Sequence, residues 1–140
     1  MLFRSEALGR ERAVRLIATE PCRVNGVSDL LRSAIENVVR NAVRHTAQGS
    51  EVEVSLYCDQ VNGNNYATVR VRDHGKGVPE ESIEDIFRAF YRVEQARDRK
   101  SGGTGLGLAI AARAVRLHGG TIKANNATDG GLNVEIRLPT

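Results

Sequence analysis

Residues 51–77 read EVEVSLYCDQVNGNNYATVRVRDHGKG. Val52, Val54 and Leu56 alternate with Glu51, Glu53 and Ser55, and Val69 and Val71 alternate with Thr68, Arg70 and Arg72. A period of two sends successive side chains to opposite faces of a pleated backbone, so each run is a strand with one face buried. Between them VNGNN, residues 61–65, carries the Asn-Gly pair that a tight hairpin turn favours. The two strands therefore pair as neighbours.

Upstream, RAVRLIA at 12–18 reads as a short strand, followed by a loop that ends near NGVSD at 25–29, where Ser28 and Asp29 can cap a helix. From there Leu30, Leu31, Ala34, Ile35, Val38, Val39 and Ala42 recur in pairs four apart, the pattern of a helix with one buried face. Downstream, PEESIEDIF at 79–87 predicts a second, shorter helix, and the arginine-rich RAFYRVEQARDRKSGGTG at 88–105 reads as a loop. Loops of that length in a compact domain are functional or mobile. A third helix follows, with Leu106, Ile110, Ala114 and Leu117 on its expected apolar face. Two further strands within 119–139 are joined by an Asp-Gly-Gly turn, with Leu132, Val134 and Ile136 alternating in the second. Hairpins with helices on one side predict an α+β fold, a two-layer α/β sandwich whose mixed, mostly antiparallel sheet packs on about three helices. A doubly wound dinucleotide-binding sheet is disfavoured.

The chain has 140 residues, 41% of them hydrophobic, which suits one domain, 1–140, with a modest core. Aromatics make up 4%, with no tryptophan, so there is little with which to stack nucleic-acid bases, and no nucleic-acid partner is expected. The 20 basic and 17 acidic residues leave a charge of +3, which needs only a solvated surface or an anionic ligand. Cys22 and Cys58 are too far apart in sequence for a metal knuckle and are expected to be buried, reduced thiols, a disulfide being the lesser alternative. No run approaches the roughly 18 to 20 apolar residues of a membrane span, and residues 1–17 place arginines and glutamates where a signal peptide needs an apolar stretch. The chain is expected to be soluble and to make no membrane contact.

Three polar constellations remain. Asn37, Asn41 and His45 lie four apart on the first helix, with Arg44 beside them. At 3.6 residues per turn this stripe sits about 100° from the centre of the apolar face, bordering the core. Asparagine is a mediocre helix former, so two at that spacing suggest a task such as offering amide oxygens to a hard cation; His45 alone reads as a helix-terminal residue. The second constellation is DHGKG at 73–77, directly after a strand. Alone it reads as a turn; alternatively Asp73 accepts a hydrogen bond from a ligand amino group, while Gly75 and Gly77 permit close approach. The third is GGTGLGLAI at 102–110, whose glycines lead into a helix. Unpaired N–H groups and the positive end of the helix dipole make that junction suited to anions. No Lys-Ser or Lys-Thr pair follows, so it is not a Walker A loop, and its glycine spacing is not the dinucleotide fingerprint.

The order of these blocks resembles the ATP-binding catalytic domain of bacterial sensor histidine kinases, within the wider Bergerat or GHKL group of ATPases and kinases. ENVVRNAVRHT at 36–46 is similar to the N box, DHGKG to the first glycine box, IFRAFYR at 86–92 to the F box and GGTGLGL at 102–108 to the second glycine box. Residues 90–110 are especially similar to Cpx-type envelope-stress kinases. The resemblance implies ATP and Mg2+ as cofactors: Asn41 would hold the magnesium, assisted by Asn37, and Arg44 would neutralise phosphate charge. His45 would lie beside the adenine, where the family often has tyrosine. Asp73 would accept the adenine amino hydrogen, and Gly75 and Gly77 would admit the base. Gly103, Thr104, Gly105, Leu106 and Gly107 would cradle the phosphates, Arg92 would stabilise the γ-phosphate during transfer, and residues 88–104 would form a lid.

The resemblance further implies transfer of the γ-phosphoryl group to a histidine on a separate dimerisation domain, then to an aspartate of a response regulator. None of the chain's 3 histidines, His45, His74 and His118, stands in the His-Glu-Arg-Thr-Pro context of a phosphoacceptor. The acceptor is therefore expected outside this chain, in a parent with a sensor in the bacterial inner membrane and this part in the cytoplasm. Alternatives are a hydrolytic ATPase of the same group, an anti-sigma serine kinase, and a nucleotide-sensing module without transfer. Hydrolytic relatives carry a glutamate four residues before the magnesium asparagine, whereas Glu36 lies five before Asn41.

Overall fold

The computed structural model describes residues 2–3, 13–91 and 105–140. In chain order the elements are β1 (Leu2–Phe3), β2 (Ala13–Thr19), α1 (Ser28–His45), β3 (Glu51–Val61), β4 (Asn64–Arg72), two 3-10 turns (Glu80–Ser82 and Asp85–Phe87), α2 (Gly107–Leu117), β5 (Thr121–Asn126) and β6 (Leu132–Pro139). The strands form one sheet in the order β1-β2-β3-β4-β6-β5. β2 and β3 run parallel because α1 carries the chain back between them; every other pairing is antiparallel.

The alternation seen in the sequence becomes two rows across the sheet. Val54, Val71, Val134 and Ala124 are in register, as are Leu56, Val69, Ile136 and Ile122. Both rows belong to one core with Ala34, Val38 and Ala42 of α1 and Leu108, Ala111, Ala112 and Val115 of α2. Small alanines at the contact let helix axes approach closely. The opposite face is charged: Arg70 pairs with Glu135 at 2.9 Å, and Arg137 pairs with Asp59 at 3.0 Å while lying over the Tyr66 ring. The result is the two-layer sandwich expected.

Five local expectations need correction. PEESIEDIF forms two 3-10 turns rather than an α-helix, leaving two α-helices among the described residues. Nine residues are too few to hold an α-helix by propensity, and the adjacent Ile86 and Phe87 both turn into the core. On α2 the expected face is buried only in part: Ala114 is buried, but Ile110 and Leu117 are 46% and 67% exposed, while Ala111 and Val115 are fully buried. Exposed Arg113 and Arg116 mark the solvent side of this helix, and the face opposite them packs on α1. Leu30 is likewise exposed, and Ser28 and Asp29 make no side-chain cap. In place of a cap, His118 Nε2 accepts the Val27 N–H at 3.0 Å. Finally, Cys22 and Cys58 are joined in a disulfide, Cys58 exposed and Cys22 half-buried. Parallel pairing of β2 with β3 brings them together, a contact that sequence distance conceals.

Candidate functional site

β4 ends where its last backbone rung, Asp73 N–H to Leu132 O at 3.0 Å, hands over to a side chain. Asp73 Oδ1 accepts the N–H groups of Gly75 at 2.9 Å and Leu132 at 3.2 Å. Among the described residues both hydrogen bonds to this carboxylate end on Oδ1, which leaves Oδ2 for another donor. The residue is 3% exposed, and burial pushes its carboxyl above the ordinary value of 3.8, against the opposing pull of those two N–H groups and of His45 and His74.

Glycines make this corner possible. A Cβ on Gly75 would run into the His45 carbonyl, and one on Gly131, at φ 96°, into the Asp73 carbonyl. Gly77, at φ 74°, passes against Asn126, whose Oδ1 accepts the Val78 N–H at 2.8 Å. Each of these close approaches is between parts of the protein itself. The end of α1 is fastened to the same loop through Thr46: its hydroxyl accepts the His74 N–H at 3.0 Å, and Ala47 N–H reaches His74 O at 3.3 Å. His74 is also held by Glu53 at 2.7 Å.

At the other end of the stripe, an ideal Cβ on Gly107 would stand 3.4 Å from Asn37 Oδ1, so the start of α2 lies directly against that asparagine. α2 has no side-chain cap, and its first N–H groups have no partner within the helix. Asn37 donates to Ser33 O at 2.9 Å and accepts from Arg40 at 3.3 Å. Asn41, half-buried, makes no hydrogen bond among the described residues. Arg44 is half-buried and His45 exposed. The eight steps from Asn37 to His45 rise about 12 Å along a helix, so one stripe links the α2 N-terminus to the Asp73 corner.

Phe90 N–H donates to Gly105 O at 2.9 Å, and a Cβ on Gly105, at φ 77°, would come within 2.9 Å of Phe90 Cα. The F box and the second glycine box thus meet. Tyr91 is anchored by its hydroxyl on buried Ser82 at 2.9 Å. Arg92, Gly103 and Thr104 lie outside the described residues, as does most of the expected lid. Of the residues expected at the site, Gly107 meets Asn37, Gly75 meets both His45 and Asp73, and Gly105 meets Phe90, whereas Gly77 meets Asn126. Sequence reasoning missed Thr46, Asn126 and Gly131, whose partners are remote in the chain and leave no local pattern.

The family described as histidine kinase-, DNA gyrase B-, and HSP90-like ATPase matches residues 26–140. Sensor histidine kinase CpxA of Escherichia coli (strain K12) is 42% identical over 137 residues, which is 98% of this chain and 28% of that protein. The chain thus spans little more than a quarter of that relative. Among solved structures, the mycobacterial sensor histidine kinase MprB aligns with a TM-score of 0.77 and 31% identity, covering 92% of this chain and 82% of that one. The ATP binding domain of PrrB from Mycobacterium tuberculosis aligns with a TM-score of 0.67 and 30% identity, over 90% and 78% of the two chains. A family match reaching from the loop before α1 to the last residue, together with these likenesses, establishes that the chain belongs to the histidine kinase-, DNA gyrase B-, and HSP90-like ATPase family, among relatives that are sensor histidine kinases.

Proposed function

We propose that this chain is the ATP-binding catalytic domain of a two-component sensor histidine kinase, and that it directs the γ-phosphoryl group of ATP to a histidine on a separate dimerisation domain. From there the group passes to an aspartate of a response regulator. The parent sensor would sit in the bacterial inner membrane with this part in the cytoplasm; no described helix is long and apolar enough to cross a membrane.

The observation that carries this reading is the stripe on α1, with Gly107 against Asn37 at one end and the Asp73 corner at the other. An anion-attracting helix start and a buried carboxylate, held apart on one rigid helix, suit a ligand with phosphates at one end and an amino-bearing base at the other. Asp73 Oδ2 would take the adenine amine, with His45 beside the base. Gly105, Leu106 and Gly107 would face the phosphates with backbone N–H groups, and Arg44 would balance their charge. The family resemblance extends the cradle to Gly103 and Thr104 and gives Arg92 the γ-phosphate.

Magnesium fits the donors present. It prefers oxygen ligands and retains waters, so one or two side-chain oxygens suffice. The Asn41 amide, half-buried and without a hydrogen bond among the described residues, would supply one, and Asn37 would assist. When bound, the ion would neutralise phosphate charge during transfer. Glu36 is exposed and sits one residue, about 100° of helix rotation, from Asn37. That position supports transfer over hydrolysis.

Asn41→Ala tests the reading. Calorimetric titration of the intact chain should show ATP binding strengthened by Mg2+, and the variant should lose about tenfold or more of that strengthening, about 1.4 kcal/mol. Equal magnesium dependence in variant and parent would remove Asn41 from the site.

A further inference from the structure

We propose that Cys22 and Cys58 form a thiol–disulfide exchange site for low-molecular-weight thiols, glutathione in particular, at the end of the sheet remote from Asp73. The proposal is independent of the nucleotide reading. The pair is placed by the fold and not merely by its own bond. β2 and β3 remain paired in parallel up to Thr19 and Leu56, across a register shift between Leu16 and Ala18, Glu20 N–H then donates to Leu56 O at 2.9 Å, and Glu20 Oε1 accepts the Cys58 N–H at 2.5 Å. None of these contacts involves the sulfur–sulfur bond itself. Dithiols positioned in this way close quickly, since intramolecular attack replaces an encounter in solution.

An open surface depression of about 540 Å³ borders the pair, lined by both cysteines and by Arg23, Asp59, Gln60, Asn65 and Tyr66. A guanidinium, two amides and a phenol suit the carboxylates and peptide groups of a small peptide thiol, while the carboxylate of Asp59, itself paired with Arg137 at 3.0 Å, suits its ammonium group. Cys58 is exposed and Cys22 half-buried, which assigns their roles. The Cys58 thiolate attacks one sulfur of glutathione disulfide, the sulfur–sulfur bond breaks, and one glutathione leaves as thiolate. The Cys22 thiolate then attacks the Cys58 sulfur and expels the second glutathione. Two protein thiols are oxidised and one glutathione disulfide is reduced to two thiols.

The bond joins residues 36 apart and spans the whole of α1, fastening the segment that leads into that helix onto β3. Cys58 lies five residues along β3 from Glu53, the partner of His74, or about 16 Å of strand. Exchange therefore acts on how firmly the β2–α1 connection is held and leaves the Asp73 corner in place.

The experiment uses the 140-residue chain in buffers of graded reduced and oxidised glutathione, followed by thiol counting, intact mass, thermal unfolding and ATP titration. Both thiols should be lost together. Cys22→Ser should stop with one glutathione on Cys58, and Cys58→Ser should react more slowly. Closing such a loop should raise Tm by about 10 °C over the reduced chain, with ATP affinity unchanged. Thiols that persist in oxidised glutathione would overturn the proposal, and so would the same Tm in both states. Glu20, Cys22 and Cys58 also place three ligand atoms within 4.8 Å of one another. Stoichiometric uptake of Zn2+ by the reduced chain, with the thiols then protected from glutathione disulfide, would make this a metal site and overturn exchange.

Discussion

Asp73 is asked to be buried and ionised at once. Burial raises its carboxyl above the ordinary value, and the N–H groups of Gly75 and Leu132 hold the charged form against that penalty. For stability the sign is the reverse of the usual carboxylate case. The folded state binds the proton more readily than the unfolded one, so stability falls as pH rises from the unfolded value of 3.8 through the raised folded value. For ligand binding the sign is opposite, because an amine donor needs the ionised oxygen; purine affinity should be lost as pH falls through that same window. Asp73→Asn separates the two effects. The amide oxygen can still accept from Gly75 and Leu132, so Tm should hold or rise. The amide nitrogen would face the adenine amine donor to donor, leaving a polar group unpaired at about 1–3 kcal/mol, or roughly tenfold to a hundredfold in ATP affinity. An unchanged affinity, or a collapsed fold, would show that the carboxylate serves the structure alone. Asp73 was legible in the sequence because a carboxylate followed by Gly-x-Gly ends an alternating strand. Gly131, which lets the Asp73 carbonyl pass, was not, since its contact lies 58 residues away in the chain.

Among the elements, α1 and α2 show how far periodicity reaches. α1 has a polar face, and its buried Ala34, Val38 and Ala42 follow the spacing read from the sequence. α2, GLAIAARAVRL, is apolar on every side but one, and the two candidate stripes differ only by rotation. Contact with α1 selects the stripe containing Ala111 and Val115, whose small side chains admit a second helix. The choice matters for the site, because the rotation that buries Val115 also seats Gly107 on Asn37. Val115→Ala should therefore cost about 2 kcal/mol, from two lost methyl groups and the void they leave. Leu117→Ala, at a position 67% exposed, should stay within about 0.5 kcal/mol. Denaturant midpoints for the two variants check this, and the reverse order would mean that α2 packs on the face that periodicity alone suggested. The 3-10 turns escaped the sequence for a related reason: a few residues that bury an adjacent pair of side chains show no helical period.

Across the whole molecule, the order of the blocks was more legible than any block alone, since several weak signals on separate elements point to one ligand only when the sheet gathers them. What order could not supply is what each histidine does, and the structure narrows that. His118 is engaged at both ring nitrogens, Nδ1 with Ala114 O at 2.7 Å and Nε2 with the Val27 N–H at 3.0 Å, and so ties the end of α2 to the start of α1. His74 has its Nε2 on Glu53 and its backbone on Thr46 and Ala47. Phosphorylation of either ring would break contacts that hold the sandwich together. His45 stands on the stripe itself, close enough to Asp73 to lower its pKa, where the proposed reading puts the base and not the γ-phosphate. On the proposed reading, no histidine of the chain is placed to receive the transferred group. The chain incubated with γ-labelled ATP and Mg2+ should bind nucleotide and remain unlabelled, while addition of a cognate dimerisation domain should place acid-labile, alkali-stable label on that domain. Such label on the isolated chain would locate the acceptor here, and would require one of these three rings to leave its present contacts. Free phosphate released without any acceptor would instead move the protein toward the hydrolytic members of its family, despite the exposed position of Glu36.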